Sequence, residues 1–149
     1  MSAKSATSRA GKPSRKPAAS KASAKSKTGK LPEWNLADLY SGIDAPEVAR
    51  DLAKMDADCV AFETDYKGRL AERTADETGG KWLAGAVQRY EAIDDLAGRL
   101  GSYAGLVHAG DSVDPAISKF YGDVSERLTN ASVHLLFFGL ELNRVDDAV

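Results

Sequence analysis

The stretch that decides the fold is "PAISKFYGDVSERLTNASVHLLFFGLELNRVDDAV", residues 115–149. Its apolar residues fall at Ile117, Tyr121, Val124, Leu128, Ala131, Leu135, Phe138, Leu142 and Val145. Steps of four and three alternate throughout, which is the signature of one face of an α-helix. Asp114 followed by Pro115 supplies an N-cap and a first-turn proline. Read as one helix, the 35 residues span roughly 52 Å at 1.5 Å per residue. Within it, "SVHLLFFGLELNRV" is apolar around most of its circumference. A helix of that kind needs burial on more than one side. Two neighbours of similar length are not expected to supply it, so its missing cover is expected to lie in polypeptide beyond Val149.

Working back, two further segments show the same periodicity. Val48, Leu52, Met55, Cys59, Phe62 and Tyr66 form one stripe, opened by Pro46 and Glu47 and stopped by Gly68. Leu83, Val87, Tyr90, Ile93, Ala97, Leu100, Ala104 and Val107 form another, starting near Lys81. Gly85, Gly98, Gly101 and Gly105 interrupt this second stripe. Each costs about 1 kcal/mol relative to Ala in a helix interior. Close approach of a neighbouring helix accounts for them, with a kink near Gly98 and Gly101 as the competing reading. Residues 69–80 read as a connector with polar, turn-rich ends, and 108–116 as the break before the last helix. No run alternates with period two for long enough to suggest a strand. The expected fold is all-α, with long antiparallel helices at shallow crossing angles.

The first 30 residues differ in kind. They hold nine of the 20 basic residues and none of the 22 acids. The tail therefore carries +9, and residues 31–149, with 11 bases against 22 acids, carry −11. An Ala, Ser and Lys-rich segment cannot bury enough apolar surface to offset its chain entropy. A disordered solubilising tail is the expectation; contact with nucleic acid or an anionic surface, and targeting, are the alternatives. The acidic remainder would be repelled by phosphate, which argues against nucleic acid as its partner. One cysteine, Cys59, excludes an intrachain disulfide and fits a reducing compartment. No apolar run approaches the roughly 20 residues of a membrane helix.

Residues arranged for chemistry are few. His108 and His134 are isolated, and the H-E-x-x-H pattern that places two imidazoles and a general base on one helix face is absent. Capping, packing or surface exposure is expected of both. Cys59 reads as a small buried hydrophobe rather than a nucleophile. Glu141 is either an ion-pair partner of an Arg such as Arg144 or a surface group. Trp34 and Tyr40 are expected to anchor the incoming segment on the bundle, and Trp82, Tyr90 and Tyr103 to line the core or a groove. No position is assigned a catalytic, cofactor-binding or metal-binding role.

Three blocks carry a family resemblance: "LPEWNLADLYSGIDAPEV" (31–48), "LGSYAGLVHAGDSVDPAISKFYGDVSERL" (100–128) and "HLLFFGLELNRVDDA" (134–148). In this order they resemble the N-terminal region of oligoendopeptidase F-type zinc metallopeptidases, which are related to thimet oligopeptidase. The resemblance covers residues 31–149, everything but the tail. It implies a helical, cytoplasmic enzyme that hydrolyses short peptides in an enclosed cleft. Its zinc would be held by the H-E-x-x-H histidines and a later Glu, all downstream of the matched region. What carries over is a non-catalytic helical lobe, one wall of the substrate channel, with the C-terminal catalytic region as its partner. A stand-alone helical interaction module is the alternative from another class.

Overall fold

In the computed structural model the described residues are 35–75 and 78–145. Their regular structure is entirely helical, and no strand occurs among them. In chain order the elements are α1 (Pro46–Tyr66), a single turn α2 (Leu70–Arg73), α3 (Gly79–Gly110), α4 (Pro115–Ser132), a 3-10 turn (Val133–Leu135) and α5 (Leu136–Leu142). The tail lies outside the described residues, as do Trp34 and residues 146–149.

α1 forms as its stripe predicts. Val48, Leu52, Met55, Cys59 and Phe62 are buried and Tyr66 half-buried. Pro46 sits in the first turn. Gly68 adopts φ +76°, the left-handed conformation that costs glycine nothing, and this turns the chain out of the helix.

The connector is more than a polar link. Leu70 is fully buried and anchors α2. The buried Thr74 donates its hydroxyl to the Leu70 carbonyl at 2.7 Å. A Cβ on Gly79 would lie 2.5 Å from the Thr74 carbonyl oxygen, so only glycine lets the chain pass here.

α3 is one continuous helix through all four glycines. Close approach explains one of them: a Cβ on Gly101 would meet Leu128 Cδ1 at 3.2 Å, whereas Gly85, Gly98 and Gly105 face open space. The buried face is wider than the stripe, adding Ala86, Leu96 and Tyr103 to Ile93, Leu100 and Ala104. The cause is position: α3 packs against both α1 and α4 and so presents two contact lines.

Residue pairs set the helix directions. Asp51 meets Arg99 and Asp65 meets Arg89, so α1 and α3 are antiparallel. Tyr103 meets Phe120, and Gly101 meets Leu128, so α3 and α4 are antiparallel too. Asp56 meets Arg127 and Glu63 meets His134, so α1 and the last segment run the same way. One core of buried side chains from α1, α3, α4 and α5 lies between them.

The corner before α4 is built by two carboxylates. Asp111 accepts from the amides of Val113 and Asp114 at 3.2 Å each. Asp114 accepts from Ala116 at 2.7 Å and Ile117 at 3.4 Å, the expected N-cap.

The single helix expected over 115–149 does not occur. α4 ends at Ser132, and the 3-10 turn separates it from α5. Thr129 Oγ1 donates to the Ser125 carbonyl and Ser132 Oγ to the Thr129 carbonyl, both at 2.8 Å. Such back-bonding bends helices and competes with the main-chain ladder. A 3-10 turn advances about 20° more per residue than an α-helix, so three residues rotate α5 about the axis by roughly 60°. Phe137 thereby joins Phe138 in the core, and Leu142 is left exposed.

Candidate functional site

The rotated segment defines the candidate site. Phe137 and Phe138 enter an aromatic cluster around the fully buried Phe62, with centroids 5.7 and 5.1 Å from its ring. Phe138 stacks on Tyr90 at 5.1 Å, and Tyr66 bridges Phe62 and Trp82. The opposite side of the same segment is bare. Val133, Leu136 and Leu140, spaced three and four apart, are 58%, 64% and 66% exposed. Beside them an open groove of about 290 Å³ runs between α3 and the α4–α5 side of the bundle. Met55 and Cys59 of α1 form its floor; Tyr90, Ile93, Asp94 and Ala97 form the α3 wall. Leu128, Ala131, Ser132, Leu135, Leu136 and Gly139 form the other wall.

Polar contacts hold this segment in place from behind. Glu141 accepts the Gly68 amide through both carboxylate oxygens, at 2.8 and 3.0 Å. It thus ties α5 to the turn after α1, 73 residues away, rather than pairing with Arg144. His134 Nδ1 lies 2.5 Å from Glu63 Oε2, and Lys67 holds the other Glu63 oxygen. Donation from Lys67, then His134, lowers the Glu63 pKa. Two turns of α1 earlier, Arg127 pairs with Asp56.

A second polar cluster closes the opposite end of the bundle. Tyr40 is buried, donates its hydroxyl to Asp51 at 3.1 Å and sets its ring edge-on to Tyr103 at 5.0 Å. Burial, then the Asp51 carboxylate, pushes the Tyr40 phenol up to about 12. Burial of Asp51 disfavours its charge, but donation from Arg50 and Tyr40, with Arg99 nearby, outweighs it and keeps the carboxyl below its usual range. Every member has a partner, so the cluster is a structural clasp for the 35–45 segment.

Cys59 is buried, and burial followed by the nearby Asp56 and Asp58 raises its thiol pKa, the reverse of a nucleophile's. His108 stacks on Tyr121 at 4.7 Å, far along the bundle from His134. Tyr40 anchors its segment as expected, and Tyr90 lines the groove. Trp82 packs on Tyr66 under the guanidinium of Arg73. No group of three His, Cys, Asp or Glu side chains able to hold a metal ion occurs among the described residues, and no described helix is long and apolar enough to cross a membrane. The groove itself was hidden in the sequence, because it depends on the 3-10 turn; the only local signal was the Thr129–Ser132 pair before an apolar run. Comparison with family models, with curated proteins and with solved structures returns no match to this chain.

Proposed function

We propose that this chain is the N-terminal helical lobe of a zinc oligoendopeptidase of the oligoendopeptidase F type. In this reading it forms part of the wall around a channel that admits short peptides, and takes no part in the chemistry. Zinc and its H-E-x-x-H ligands belong to a catalytic region elsewhere in the polypeptide, in the cytoplasm. The observation that carries the reading is the outward apolar face of Val133, Leu136 and Leu140 beside an open groove. A lobe that packs against further protein needs such a face; a self-sufficient bundle does not. The three sequence blocks in family order support the same reading.

The test is to express the complete reading frame that contains these residues. The expected product holds one zinc, cleaves quenched fluorescent peptides and loses that activity to a chelator. A reading frame without H-E-x-x-H, or a product without zinc-dependent cleavage, removes the proposal. The buried core shared by α1, α3 and α4 supports a second reading, a stand-alone interaction module. A monodisperse, cooperatively melting protein from a reading frame that lacks the zinc motif would favour it.

A further inference from the structure

The groove between α3 and the α4–α5 segment has a chemistry of its own. Among the residues lining it, Asp94 alone carries a charge. Glu91 stands one turn earlier on the same exposed face of α3. Among the described residues neither carboxylate enters an ion pair, while seven Lys and Arg side chains are held in pairs elsewhere. The opposite wall is apolar or small, with Leu136 projecting and Ser132 and Gly139 leaving room.

We infer that this groove docks an amphipathic helix whose apolar stripe covers Leu136 and Leu140 and whose flank presents lysine or arginine to Asp94 and Glu91. A helix fits because the groove is itself walled by helices, and side chains at i, i+3, i+4 and i+7 can enter such a trough. A basic flank fits because Asp94 on the α3 wall and Glu91 one turn away lie on one side only and enter no ion pair among the described residues. A second copy of this chain fits less well, since the same face offers it only apolar, neutral or acidic groups. Anionic partners are repelled. The inference rests on the same outward face as the peptidase reading and specifies the kind of segment that covers it; peptide binding and zinc-dependent cleavage are separate readouts, so either can fail alone.

The probe is a fluorescein-labelled helical peptide of about 18 residues, roughly 27 Å long, with leucine on one face and lysine on its flanks. Its counterpart carries glutamate on the flanks. Anisotropy titrations with the full chain should show the lysine peptide binding at least about tenfold more tightly. Glu91→Lys with Asp94→Lys should weaken the lysine peptide by about tenfold and favour the glutamate peptide. The equal charge change at the far end, Asp38→Lys with Asp44→Lys, should leave binding within about twofold. Equal binding of both peptides, or equal loss from the distant reversal, overturns the inference as generic attraction to an acidic protein. A stable homodimer by light scattering that Leu136→Asp dissociates overturns it in favour of self-association.

Discussion

α1 and the segment 133–145 are both apolar at helical spacing, yet they meet opposite fates. α1 has a narrow stripe, and its neighbours bury all of it but the partly covered Tyr66. The later segment has apolar residues all round, and its two phenylalanines are covered while Val133, Leu136 and Leu140 face outward. The difference teaches that apolar content does not decide burial. The number of neighbouring helices does, because each covers only part of a circumference.

The strongest way to break this contrast is Phe62→Ala. Phe62 is the hub that holds Tyr66, Tyr90, Phe137 and Phe138 together. The loss should be about 3–5 kcal/mol, read as a fall in the denaturation midpoint. A loss below about 1 kcal/mol would mean the aromatic cluster does not hold α5 to α1.

Next comes Asp51→Asn, which keeps the shape of the clasp but removes its charge. It should cost about 1–3 kcal/mol at pH 7. Because the folded-state pKa of Asp51 is depressed, its ionic contribution is fully present above the unfolded value of about 3.9 and is lost as pH falls through the lower folded value. The stability gap between wild type and variant should therefore be constant from about pH 5 to 7 and close below about pH 4. A gap that stays open at about pH 2 would assign the effect to packing instead.

Asp114→Ala removes two amide bonds at the start of α4. About 1 kcal/mol should be lost, with Asp114→Asn nearly neutral. Faster amide exchange in the first turn of α4, with α1 unaffected, would place the loss there.

The smallest effect sharpens the comparison most. Leu140→Ser, on the bare side of α5, should change stability by no more than about 0.5 kcal/mol. It should also weaken binding of the lysine-flanked helical peptide, measured by anisotropy. A loss as large as that of Phe62→Ala would show that Leu140 is covered in solution and that the outward face is not free.

Much of the fold was legible in the chain. Pro46, Gly68, Asp114 and Pro115 mark helix ends through backbone preferences that need no distant partner. The 4-3 spacing in α1 predicted its buried face because one stripe met one core. The site was less legible. Leu142 was assigned to the stripe and is exposed, whereas Phe137 was off the stripe and is buried. The 3-10 turn ahead of both shifts the phase, and extrapolating an α-helical period cannot register that shift. Leu70 lay in what read only as a connector and is a fully buried anchor, since a single apolar residue has no period to read.

By itself, then, the order of residues determined an all-α fold, its main breaks, and a charge divide between residues 1–30 and 31–149. These follow from local backbone energetics, from repeat spacing and from counting. Only the tertiary structure decided which side of the last segment is covered, where Glu141 and His134 attach, and that a groove with Asp94 on its wall opens beside Leu136. The Glu141 and His134 contacts join residues 73 and 71 positions apart. A contact over that distance exists only once helices have packed and settled which faces they share.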